Sequence, residues 1–155
     1  ASADVLAMAS TEVEISNIAV GQFADVKFRG TPVYVRHRTA KEIAKANAVD
    51  VNNLRDTTTV RAGADMGPGS AADNQRTHPD KPNWLVVYGV CTHLGCVPIS
   101  GAGDFGGFFC PCHGSKFDFA GRVYKSVPAP TNLEVPPHRF VGDTGLVIGE
   151  DEGTV

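Results

Sequence analysis

An all-β chain carrying one short helix is the fold class that three features of this sequence predict. Apolar and polar residues alternate in several short runs; Gly, Pro, Asn and Asp cluster between those runs; and a single stretch has the composition and capping chemistry of a helix. The first run, TEVEIS (11–16), sends Val13 and Ile15 to one side, as a half-buried strand does. FADVKFRG and PVYVRHR flank Gly30-Thr31-Pro32, which reads as the short turn of a hairpin. Thr39 followed by Glu42 forms a capping box ahead of AKEIAKANAV, so a short helix is expected over about 40–47, with Ile43 as its main apolar contact. Residues 61–83 hold little to bury and much Gly, Pro, Asp and Asn, and read as a long surface excursion. Then come WLVVYGV (84–90), DFGGFF (104–109), SKFDFAGRVY as a hairpin around Ala120-Gly121, and two strands in the tail, broken at Gly142-Asp143-Thr144-Gly145. There is no internal repeat.

A chain of 155 residues with 42% hydrophobic content suffices for one domain with a real core and a smaller lobe grafted onto it. The formal charge of −3 and the lack of any Lys/Arg-rich block argue against nucleic acid as a partner. The longest apolar run, residues 84–90, falls far short of the roughly 20 residues that cross a bilayer. The start at Ala1, without a charged-then-apolar leader, points to a processed or truncated piece of a longer chain.

All four cysteines lie in two short stretches, CTHLGC (91–96) and CPCHGS (110–115), each with one histidine and each at the end of an expected strand. Four thiols can form two disulfides, a zinc site or an iron–sulfur site, or stay free. Cys91, His93, Cys110 and His113 have the ligand types of a tetrahedral structural zinc site, but that reading leaves Cys96 and Cys112, one per loop, unexplained. Two disulfides would leave the histidines without a role. If two cysteines and two histidines bind metal, the remaining pair can be bridged, provided the loops face each other.

The two stretches resemble the paired boxes of the Rieske iron–sulfur proteins, specifically those of quinol-oxidising cytochrome bc complexes. The resemblance extends through SADVLAMAS (2–10), VYVRHRTAKEI (33–43), GVCTHLGCVPI (89–99), GDFGGFFCPCHGS (103–115) and PAPTNLEVP (128–136). It implies a Rieske-type antiparallel β sandwich: a hinge remnant over 1–10, a base fold over 11–88 and 133–155, and a smaller cluster-binding β subdomain over 89–132. It implies one 2Fe-2S cluster, with Cys91 and Cys110 on one iron, His93 and His113 on the other, and a Cys96–Cys112 disulfide tying the loops. Two neutral imidazoles leave the cluster less negative than four thiolates would, which raises its potential, and each keeps a second ring nitrogen for a substrate proton. Gly95 and Gly114 let the loops turn tightly, Ser115 can donate its hydroxyl to a bridging sulfide, and Leu94 is implied to shield the cluster and touch the quinol pocket.

The function so implied is that of the iron–sulfur subunit of a quinol–cytochrome c oxidoreductase. It takes one electron from ubiquinol at a cytochrome b pocket and passes it to a c-type cytochrome, with His93 and His113 as the contacting residues. The full-length chain would carry an N-terminal membrane helix absent here. A persistent disulfide fits the periplasmic face of a bacterial membrane or the mitochondrial intermembrane space.

Two positions depart from the family pattern. Phe117 stands where many mitochondrial-type sequences have a tyrosine whose hydroxyl bonds a ligand cysteine, which predicts a lower potential than tyrosine would give. SVPAP (126–130), the expected cover over the cluster, carries one residue more than the usual Gly-Pro-Ala-Pro. His37, His78 and His138 read as ordinary surface or strand histidines, and Trp84, Phe108 and Phe109 as core. The acidic tail EDEGT reads as a solvated end. Competing readings are a Rieske ferredoxin or oxygenase domain, against which the extra cysteine pair argues, the Rieske subunit of an arsenite oxidase, and a structural zinc module.

Overall fold

The computed structural model describes residues 10–59, 69–78, 80–90, 99–100, 107–110, 116–125, 127 and 129–150. Eleven short strands lie in these stretches, in antiparallel sheets. β1 (Thr11–Glu14), β11 (Gly145–Ile148) and β10 (His138–Val141) form one sheet with β11 in the middle. β2 (Phe23–Phe28), β3 (Thr31–His37) and β6 (Trp84–Tyr88) form a second, with β3 central.

The β2–β3 register pairs Phe28 with Thr31, so the turn is the two residues Arg29 and Gly30, at φ 52° and 78°. The turn expected at Gly30-Thr31-Pro32 therefore lies one residue earlier. A two-residue hairpin that matches strand twist needs positive φ at both central positions, and Arg29 adopts it beside the glycine. In the tail, Gly142 at φ 60° turns the chain between β10 and β11, where the sequence placed the break.

The β3–β6 pair is buried on both faces while β2 forms a more exposed edge, which is why WLVVY is a continuous apolar run rather than an alternating one. Val33, Val35, Trp84 and Val86 face Ile15, Leu146 and Ile148 in one core. Tyr34, Leu85 and Val87 point the opposite way, into a second core with Phe108, Cys110, Phe117, Val123, Ala129, Leu133 and Val135. Each fully buried Leu or Val contributes about 1.5–3 kcal/mol, so the shared sheet binds the two halves together through apolar contact.

The helix α1 (Ala40–Ala48) begins as the sequence predicts and ends one residue later. Thr39 Oγ1 accepts from the Glu42 amide at 3.1 Å, and Glu42 Oε1 accepts from the Thr39 amide at 3.0 Å. The same carboxylate takes two bonds from Arg36 on β3, at 3.2 and 2.8 Å, so the helix start is fastened to the sheet. A 3-10 turn (Val51–Asn53), the two-residue strands β4 (Thr58–Thr59) and β5 (Gly69–Ser70), and the one-turn helix α2 (Asp73–Arg76) follow.

The reading of 61–83 as a surface excursion fails over 71–77. Ala71, Asp73, Arg76 and Thr77 are all buried there. Composition hides this because the buried groups are charged and are satisfied by partners distant in sequence, whereas sequence patterns register burial through apolar residues. No helix among the described residues is long and apolar enough to cross a membrane.

Candidate metal centre

A third small sheet joins β7 (Ile99–Ser100), β8 (Phe108–Phe109) and β9 (Lys116–Phe117) in that order. Its register brings together the strand ends that lead into the two cysteine–histidine stretches. Ile99 pairs with Phe109, and Phe109 pairs with Lys116, so these three residues form one row across the sheet. CTHLGC enters the row through Val97-Pro98 just before Ile99, and CPCHGS spans the whole connection from Phe109 to Lys116. Neighbouring strands lie about 4.8 Å apart, so three chain junctions of the two stretches emerge from the same end of the sheet within about 10 Å. The strand register alone thus brings together the chain ends from which the two stretches run.

Of the residues singled out in the sequence, Cys110 is described; Cys91, His93, Leu94, Cys96, Cys112, His113 and Ser115 lie outside the described residues. Cys110 is a free thiol, 1% exposed. It follows Phe108 by two residues and shares a packed core with Phe108 and Phe117. A buried thiol held in no disulfide, at the mouth of a hairpin whose other residues include a second Cys and a His, matches what an iron–sulfur ligand requires, and the donor set of two Cys and two His fits a 2Fe-2S group.

Close backbone approach fixes this platform. A Cβ at Gly107 would lie 1.9 Å from the Phe117 carbonyl oxygen, so β8 and β9 meet at a position only glycine fits. Phe108 in this platform and Trp84 in the opposite core are buried, as the sequence predicts, at 1% and 6% exposed. Phe109 lies on β8 with its side chain outside the description. His37 on β3 stacks on Trp84 at 4.1 Å, and His138 on β10 is buried.

The opposite end of β9 is held by buried arginines that sequence pattern did not reveal. After Phe117 the chain turns through 118–122, with Gly121 at φ 76°, and Val123 bridges back to Phe117. Arg38 donates to the Phe119 carbonyl at 3.3 Å and to both oxygens of Asp73 at 2.7 and 2.9 Å. Arg76 donates to the carbonyls of Ala120, Gly121 and Leu133. Arg122 donates to Asp118 at 2.8 Å and to the Ala46 carbonyl at the end of α1 at 2.7 Å. Burial pushes the Arg76 guanidinium down to about 10, which leaves it charged at neutral pH. The insertion between β3 and β6 therefore clamps the turn that follows the second cysteine–histidine stretch.

Comparison with known proteins agrees with this architecture. The family model described as "Rieske [2Fe-2S] domain" matches residues 11–137. The chain is 51% identical over 149 residues to the "Cytochrome b-c1 complex subunit Rieske, mitochondrial" of Candida albicans, covering 96% of this chain and 62% of that protein. It is 52% identical over 149 residues to the protein of the same description from Neurospora crassa, covering 96% of this chain and 58% of that one. The chain thus spans about three fifths of the length of these relatives. Among solved structures, "Hyperthermophilic respiratory Complex III" shares the fold at a TM-score of 0.53 and 24% identity, covering 87% of this chain and 72% of that one.

Proposed function

The chain belongs to the Rieske [2Fe-2S] domain family, and from that premise we propose that it serves as the electron-carrying extrinsic domain of a quinol–cytochrome c oxidoreductase. The observation that carries the reading is the register of the β7–β8–β9 sheet, which brings the chain ends leading into both cysteine–histidine stretches to one end, beside Cys110 as a free, buried thiol. When bound, the cluster supplies one-electron redox chemistry at a potential raised by its two imidazole ligands. Cys91 and Cys110 would hold one iron as thiolates, His93 and His113 the other as neutral imidazoles, and Cys96 and Cys112 would be bridged. A ligand histidine that has already lost the N–H proton of its outer ring nitrogen could accept the quinol hydroxyl proton there while the cluster takes the electron, so that both would leave the same substrate. Ser115 would donate to a bridging sulfide, and Leu94 would shield the site.

Electron delivery to a c-type cytochrome, quinol oxidation at a cytochrome b pocket and a location facing the periplasm or intermembrane space complete the proposal. So does a division into hinge (1–10), base fold (11–88 and 133–155) and cluster-binding subdomain (89–132). Ligand replacement tests it. In the full-length protein, alanine at Cys91, His93, Cys110 or His113 is expected to abolish the visible absorption and iron content of the purified protein. Intact absorption after either histidine replacement would contradict the assignment.

A finer expectation concerns Phe117, which is fully buried. It pairs with Phe108, and Cys110 stands two residues beyond Phe108 on the same face, a diagonal of about 7–8 Å that a tyrosine side chain spans. In Phe117→Tyr the new hydroxyl is expected to donate to a ligand cysteine and to stabilise the more negative, reduced state. Redox titration of the loaded protein is expected to show a higher midpoint than with Phe117. An unchanged or lower midpoint would remove hydrogen bonding at this position from the account.

A further inference from the structure

Resting on the cluster reading above, we propose that Asp56 and Asn132 are positioning residues that hold residues 127–132 against the core containing Cys110, and so limit the access of water and small solutes to the cluster. Val127 packs against that core and Ala129 belongs to it, which puts this segment beside the buried thiol. Pro128 and Pro130 have no amide hydrogen and cannot donate to a ladder.

The holding groups come from the stretch after the 3-10 turn. Arg55 Nη1 donates to the Val127 carbonyl. Asp56 Oδ1 accepts from the amide and hydroxyl of Thr58 at 3.0 and 2.8 Å, which fixes the carboxylate. Its other oxygen accepts from the Asn132 amide at 2.9 Å. The Asn132 carboxamide, in a residue 4% exposed, is fully engaged. Its Nδ2 donates to the Asp56 and Thr58 carbonyls at 3.1 and 2.9 Å, and its Oδ1 accepts from the Val123 amide at 2.9 Å. Val123 in turn bridges to Phe117 on β9. One buried amide side chain therefore joins three pieces: the 56–58 strut, the strand leaving the second cysteine–histidine stretch, and the covering segment.

The test uses the full-length, cluster-loaded protein. Asp56→Ala removes the acceptor, Asp56→Asn restores one oxygen, Arg55→Ala removes the exposed anchor without stranding a buried group, and Ile15→Val in the other core serves as a control for general destabilisation. Amide hydrogen exchange and the rate at which a soluble iron chelator bleaches the visible absorption are read in parallel. Asp56→Ala is expected to raise exchange at Asn132 about tenfold, the equivalent of ~1.4 kcal/mol, with β6 amides unchanged and faster bleaching. Arg55→Ala should move bleaching the same way by less, Asp56→Asn should fall between Asp56→Ala and wild type, and Ile15→Val should change neither local exchange nor bleaching. Bleaching at the wild-type rate in both Asp56→Ala and Arg55→Ala, or exchange raised equally in β6 and at Asn132, overturns the inference while leaving the cluster reading intact. A wild type without the absorption overturns that reading, and this inference with it.

Discussion

Replacing Asp73 by alanine is expected to lower the unfolding free energy by about 3–5 kcal/mol, a large part of the about 5–15 kcal/mol that holds a domain folded. The Arg38 side chain is fully buried and that of Asp73 is 3% exposed. Arg38 would keep its bonds to the carbonyls of Pro82 and Phe119, but these are dipoles, and the guanidinium would carry its whole charge without a counter-charge in contact. The loss would fall on the insertion and on the turn at 118–122, because Arg38 joins both. Replacing both partners, Arg38→Met with Asp73→Leu, removes the two charges together and should cost less than Asp73→Ala alone. Urea denaturation of the three proteins, compared at constant slope, checks this; a double variant weaker than Asp73→Ala would show that the ion pair contributes more than the cost of stranding one member.

Gly107→Ala is expected to abolish cluster binding. A methyl group at this position would sit 1.9 Å from the Phe117 carbonyl oxygen and 2.9 Å from Asp118 Cα, where real Cβ contacts essentially never fall below 3.0 Å. All the atoms it meets are backbone, so β9 itself would have to move by more than an ångström (3.0 less 1.9). The β8–β9 pairing consists of two residue pairs and has little length over which to spread that displacement. The cost is about 3 kcal/mol or more, and the displaced strand is the one that closes the loop containing Cys110 and His113. Gly89 offers an internal comparison, since a Cβ there would meet the Tyr34 ring at 3.0 Å, and a side chain can yield. Iron content and thermal unfolding measured on Gly107→Ala and Gly89→Ala should therefore separate: near-complete loss of iron in the first, and retention with modest destabilisation in the second. Full iron loading of Gly107→Ala would contradict the backbone contact.

The longer strands and the capped helix were legible in the sequence because each has a local signature, whereas the two-residue strands β4, β5 and β7 were not called. Alternation marks half-buried strands, and a capping box marks a helix start. The sheet buried on both faces was visible only as an apolar run, and its second face became clear once Tyr34, Leu85 and Val87 were seen packed with Cys110. Residues 71–77 and the Asp56–Asn132 junction were not legible. Their burial depends on charged and amide groups whose partners lie 35 to 76 positions away, and no period or short spacing encodes such a pairing. The turn at Arg29-Gly30 was missed by one residue, since propensity favours Gly and Pro at turns and gives no reason to put an arginine at positive φ.

We propose that two imidazoles and two thiolates, on stretches whose flanking strands meet in the β7–β8–β9 sheet, hold a binuclear iron–sulfur group. Electron paramagnetic resonance of the dithionite-reduced full-length protein, with nitrogen couplings resolved and iron, sulfide and zinc assayed on the same sample, tests it most directly. Two irons and two sulfides per chain, with a paramagnetic reduced state coupled to two imidazole nitrogens, is the predicted result. One zinc per chain and no signal on reduction would contradict it.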